Sequence, residues 1–228
     1  MRVLRNFVWS AIASLLLLVG LSPTAAHAAN GGHARPGIHC PTDIRTRGMN
    51  GAPNPALEPY YLDDWRLGPR NLPKTGAIGA MLRGYHRTGP TSAYWFLGCY
   101  WQTNPQTGES GWWYPDANGF VLDRQGKPVQ KALTLRVGQL VDLFGSGRGN
   151  FLAPAGTPYS KRAIPPSNLD EYTNAYPSSY HLYRVTEAFT VQAGRIRPWF
   201  GQPGLGIQYM TDKRIPDLVA AQKLEALN

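Results

Sequence analysis

Two stretches constrain this chain more than any others: residues 142–169, DLFGSGRGNFLAPAGTPYSKRAIPPSNL, and residues 199–209, WFGQPGLGIQY. Both are dense in Gly, Pro and aromatic residues and lack long periodic patterns. Such segments make turns and shaped loops, because Gly reaches backbone conformations closed to other residues and Pro fixes its own φ. They offer cations in Arg148 and Arg162 and glycines that let backbone N–H groups approach an anion. Aromatic faces come from Phe144, Phe151, Trp199 and Phe200. Two readings follow: tight turns around an aromatic mini-core, or the walls of a nucleotide pocket.

The regular elements around these loops are short. Leu133–Val137 alternates apolar and polar, Gly138 turns it, and Gln139–Phe144 reads as a second strand. Tyr180–Val185, Phe189–Val191 and Gly206–Met210 read as further strands of a mostly antiparallel sheet. Upstream, Ala77–Tyr85 and Ser92–Trp101 have helical spacing, are separated by Gly89-Pro90, and Thr91 or Ser92 suits the second N-cap. A last helix starts near Pro216 and carries Leu218, Val219, Leu224 and Leu227 on one side. The polar, turn-rich run Asn104–Gly111 marks a candidate domain boundary. The expected class is α+β: a β-dominated domain over residues 111–228 and a small helical subdomain within 29–110.

Residues 1–28 have the layout of a signal peptide, with Arg2 and Arg5, an apolar run Phe7–Leu21, and Ala26-His27-Ala28 for cleavage. Ser22-Pro23 interrupts that run, and no later segment is apolar enough to span a bilayer, so the mature chain is expected to be secreted. The formal charge of +9 for the full sequence, +7 without Arg2 and Arg5, is spread without any Lys/Arg run, which argues against a nucleic-acid stripe. Two cysteines survive processing, Cys40 and Cys99, and an exported chain favours pairing them. That disulfide would tether the Gly/Pro-rich arm Asn30–Asp64 to the second helix and constrain the unfolded chain by ~4 kcal/mol. No CxxC or HExxH occurs, nor any Cys/His set at zinc spacing, so no metal is expected. GxGxxG after a strand and GxxxxGK[ST] are also missing, which excludes the common dinucleotide and P-loop folds.

Four pieces occur in order: Asp142-Leu-Phe-Gly145, Gly149-Asn-Phe-Leu-Ala153, Lys161-Arg-Ala-Ile-Pro-Pro-Ser-Asn-Leu169 and Trp199-Phe-Gly-Gln-Pro-Gly-Leu-Gly-Ile-Gln-Tyr209. The series resembles the tuberculosis-necrotizing-toxin (TNT) domain, and most closely its secreted fungal NAD glycohydrolases. The resemblance covers roughly Trp112–Leu227, with a weaker echo in Arg66-Leu-Gly-Pro69. It implies hydrolysis of NAD to nicotinamide and ADP-ribose, with NAD as substrate, NADP as a further candidate and no cofactor. It also implies Gln208, Arg162 and His181 as catalytic residues and Phe144 and Phe151 flanking the nicotinamide side. Arg148, Trp199 and Phe200 join the expected substrate-binding set for their charge and aromatic faces. An inhibitory immunity protein and a homodimer are partners the resemblance leaves open. Calcium-regulated relatives carry a C-terminal extension, whereas this sequence ends at Asn228, so no calcium requirement is expected.

Few carboxylates suit such chemistry. The pyridinium departs as neutral nicotinamide without a general acid, so the site must grip it, stabilise an oxocarbenium-like ribose and admit water. One departure from the family pattern matters: Asp-Arg-Phe-Gly is Asp-Leu-Phe-Gly here, with Leu143 in place of a substrate-contacting arginine. That keeps open a protein that binds NAD or ADP-ribose without cleaving it. Arg148, flanked by Gly147 and Gly149, is the nearest substitute cation in sequence. The tryptophans raise a third class, a module for cell-envelope glycans, which leaves the four ordered motifs unexplained.

Overall fold

The computed structural model describes residues 59–170 and 177–228. All of them belong to one compact unit. The signal peptide, the arm up to residue 58 and Cys40 lie outside the described residues. Cys99 is buried, and the expected bridge to Cys40 therefore has only one described end.

Two short helices lead. α1 spans Gly76–Met81, and Gly84, with φ of 71°, follows soon after it. α2 spans Ala93–Tyr100 and is capped by Ser92, whose hydroxyl accepts the Trp95 amide at 3.3 Å. A hairpin follows, β1 (Trp101–Thr103) against β2 (Ser110–Trp112). The polar run expected to be a boundary is the turn of this hairpin. Asn104 accepts the amides of Gln106 and Thr107 in an Asx turn.

The remaining strands are β3 (Gln130–Leu135), β4 (Leu140–Phe144), β5 (Phe151–Pro154), β6 (Tyr180–Val185), β7 (Phe189–Arg195), β8 (Ile207–Met210) and β9 (Leu224–Ala226). They form one sheet in the order β3-β7-β8-β5-β4-β6-β9, every pair antiparallel. The expected C-terminal helix is divided. α3 spans Ile215–Ala220, and Leu224 lies in β9, the edge strand beside β6.

Strand register fixes which side chains share a face. Asp142 pairs with Ala153. The β5–β8 register, Phe151 with Met210 and Leu152 with Tyr209, brings Ala153 level with Gln208. Asp142, Phe144, Phe151, Ala153 and Gln208 therefore project from one face. Val141, Leu143, Leu152 and Tyr209 project from the other, where they pack with Ile215 and Leu218 of α3 as the main core.

The first face is covered on two flanks. Met81, Leu82 and Tyr85 pack with Phe144, Tyr159, Leu169 and Tyr180. Phe96, Leu97 and Tyr100 of α2 pack with Ile196, Trp199 and Phe200. The helical segment thus shares its apolar core with the sheet domain, where a small helical subdomain with its own core was expected. Its helices are too short to bury a core between themselves.

Candidate active site

The third motif is locked to the first by a buried ion pair. Asp142 is fully buried, and its Oδ2 accepts from the Gly156 amide at 2.9 Å and the Tyr180 hydroxyl at 3.1 Å. Nη2 of Arg162, itself buried, stands 2.7 Å from Oδ1. Among the described residues Oδ1 makes no well-aligned hydrogen bond, so the Arg162 contact is chiefly coulombic. Burial pushes the Asp142 carboxyl above its ordinary range, and Arg162 pulls it back. Arg162 Nε donates to Thr157 O at 3.0 Å, and its guanidinium lies 5.0 Å from the Phe144 ring centre. Asn168, from the same motif, adds a bond from Nδ2 to Phe144 O at 3.0 Å.

The fourth motif joins the third through the backbone. The Gly206 amide donates to Lys161 O at 3.0 Å. A Cβ on Gly206 would come within 2.6 Å of that oxygen, so the Gly-x-Gly-x-Gln spacing serves this close approach. Asn150 of the second motif is held to the end of β8, its Nδ2 donating to Thr211 O at 3.3 Å.

Where these segments meet, β4 and β5 share only two register pairs before the chain leaves for the loop 145–150. A cleft of about 410 Å³ opens there. Four of the residues expected in the site converge on its wall: Phe144, Phe151, Arg162 and Gln208. Gln208 Nε2 donates to Asn118 O at 2.9 Å, while its Oε1 accepts nothing from the described residues. Phe144 is only 5% exposed, whereas Phe151 is 38% exposed, so Phe151 is the one with a face to offer. Leu143 borders the cleft while its side chain packs into the main core.

The other expected residues stand elsewhere. Trp199 and Phe200 are core residues, not cleft walls: Phe200 has no exposure, and Trp199 Nε1 donates to Trp113 O at 2.6 Å. The apolar area of two large rings won over stacking on a ligand. Arg148 is exposed outside the lining, and its side chain has no partner among the described residues. His181 sits on β6, buried, with Nε2 2.9 Å from Gly145 O. A carbonyl can only accept, so Nε2 carries the proton. Burial pushes the His181 pKa down, against the opposing pull of the Gly145 carbonyl. His181 thus underpins the loop without lining the cleft.

Sequence reading missed Tyr114 and Asn118. Tyr114 borders the cleft with 53% exposure, edge-on to Phe200. Asn118 supplies the carbonyl that holds Gln208. Neither falls in a motif, and only the tertiary fold brings residues 114–119 to β8.

The tuberculosis necrotizing toxin family matches residues 134–227. The conidial surface nicotinamide adenine dinucleotide glycohydrolase nadA of Aspergillus fumigatus is 43% identical over 160 residues, covering 70% of this chain and 68% of its own. The chain belongs to the TNT family. Among solved structures, tuberculosis necrotizing toxin complexed with its immunity factor IFT superposes with a TM-score of 0.48 at 19% identity, over 60% of this chain and 71% of the toxin. Rhs1-CT in complex with its cognate immunity protein RhsI1 gives 0.33 at 14%, over 50% and 84%. In this chain the ion pair Asp142–Arg162 and the Gly206–Lys161 hydrogen bond join the first, third and fourth motifs.

Proposed function

We propose that this TNT-family chain is an NAD glycohydrolase, releasing nicotinamide and ADP-ribose. The observation that carries the reading is the convergence of four separate motifs on one cleft, through Phe144, Phe151, Arg162 and Gln208. The 43% identical NAD glycohydrolase supports it.

In this reading the exposed faces of Phe151 and Tyr114 take flat rings of the dinucleotide. Gln208 is oriented by Asn118, which leaves Oε1 as an acceptor for a ribose hydroxyl or the attacking water. Hydrogen bonds that strengthen as the ribose gains positive charge lower the barrier. Arg162 serves by fixing Asp142 and Phe144. NADP as a second substrate, export, an immunity partner and a toxin's depletion of target-cell NAD are finer expectations of the same reading.

Nicotinamide release from NAD by the purified chain tests this directly. Turnover is expected, with Gln208→Ala lowering kcat/KM by about a hundredfold, the scale of one lost transition-state hydrogen bond in a shielded site. Full activity in Gln208→Ala would remove that residue from the mechanism.

A second reading, binding without cleavage, draws on the cleft's charge. Among its described lining residues Arg162 is the sole Lys or Arg, and it is committed to Asp142. Leu143 adds no charge. ADP-ribose binding with no nicotinamide release would select this reading over the first.

A further inference from the structure

A dinucleotide brings a pyrophosphate with two negative charges, and the cleft wall offers it no uncommitted cation. What the wall does offer is a loop of short residues, Gly145-Ser-Gly-Arg-Gly149. Ser146, Gly147 and Gly149 all line the cleft. Their backbone amides donate to no group among the described residues. Gly145 and Gly147 have φ of 123° and 72°, conformations that turn successive peptides away from a ladder and let neighbouring N–H groups converge.

The loop is also held in place. The Gly145 amide donates to Ser179 O at 2.9 Å, and its carbonyl meets His181 Nε2. Gly147 lies so close over the His181 ring that a Cβ would fall 2.9 Å from Cε1. At the far end, Gly149 O accepts the Ile215 amide at 2.8 Å, anchoring the loop to α3. Unpaired donors on a pinned backbone cost little to order around a ligand. Arg148, between two of these amides, is the adjacent free cation.

We propose that the backbone amides of Ser146, Gly147 and Gly149, with the Arg148 side chain, are the anion cradle that holds the pyrophosphate of the dinucleotide. The assignment rests on the NAD-binding reading of the cleft, and it holds whether or not the chain cleaves. The cradle takes over the charge duty that Leu143 cannot perform.

Equilibrium binding of ADP-ribose to the full chain, with adenosine as the uncharged comparison, tests it. Gly149→Pro removes one amide, and Gly149→Ala, whose methyl enters open space, retains it as reference. Gly149→Pro and Arg148→Ala are each expected to weaken ADP-ribose about tenfold relative to their references, with adenosine unmoved. Should Gly149→Pro fail to fold by circular dichroism, Arg148→Ala and competition by inorganic pyrophosphate decide. ADP-ribose that binds undiminished in the folded variants, or that pyrophosphate does not displace, overturns the cradle and leaves the functional reading standing. If neither ADP-ribose binding nor NAD turnover occurs, the functional reading falls and takes the cradle with it.

Discussion

The residue that most needs two explanations is Arg162. It lines the cleft, yet its ion pair with Asp142 and its place over the Phe144 ring tie the first and third motifs together. A buried charge whose partner is removed costs about 3–5 kcal/mol, far more than an exposed pair is worth. Arg162→Met is therefore expected to destabilise the chain on that scale in urea unfolding, and a loss under about 1 kcal/mol would mean the pair is structurally idle. Activity lost in that variant must be read after stability is accounted for. His181 poses the complementary case. If it acts by donating from Nε2 to Gly145 O, an amide can imitate it. His181→Gln should retain at least about a tenth of kcat/KM, while His181→Ala should lose more than tenfold through the loop. Equal losses in both would instead point to proton transfer by the imidazole.

Among the elements, β3, β4, β6, β7 and β8 were legible in the sequence, with β4 and β6 within a residue of their expected limits, whereas the short β1, β2, β5 and β9 were not read as strands. The end of the C-terminal helix was not legible, for a local reason. Lys223 N bonds Leu218 O at 2.9 Å and Gln222 N bonds Val219 O at 3.0 Å, with Gln222 at φ of 55°. That is a Schellman stop without its usual glycine, so nothing in the sequence announced it. Gln222→Gly is expected to raise stability by about 0.5–1 kcal/mol, read as a higher denaturant midpoint with unchanged slope. The site was legible where a motif residue alternates onto the cleft face, as Phe151 and Gln208 do. It was not where a large aromatic in a loop motif turned inward, as Trp199 and Phe200 did. A ring in a Gly-rich loop reads the same whether it packs on a ligand or on α2.

At the scale of the whole molecule, the aromatic flank, α1 and α2 sit on the sheet face that also carries the cleft, so burial there sets the electrostatics around the site. Asp170, which closes the third motif's turn, is buried with Oδ1 lacking a hydrogen-bond partner among the described residues. Burial pushes its carboxyl up to about 8, Arg87 pulls it down, and Asp64 adds to the rise. An unfolded aspartate titrates near 3.9. The folded state therefore holds a proton that the unfolded chain has lost between roughly pH 4 and 8. The sign is fixed by that difference: this group's stabilisation is complete below about pH 4 and drains away as pH rises through the folded value. The steepest loss is about 1.4 kcal/mol per pH unit. His181 works the other way, its lowered pKa costing stability as pH falls below about 6.5. Asp142, raised like Asp170, adds to the decline with rising pH. Urea midpoints from pH 5 to 9 should fall with pH in the wild type, and Asp170→Asn should flatten that slope because its side chain no longer titrates. An unchanged slope in Asp170→Asn would show that Asp170 is ionised in the fold, with Arg87 outweighing burial.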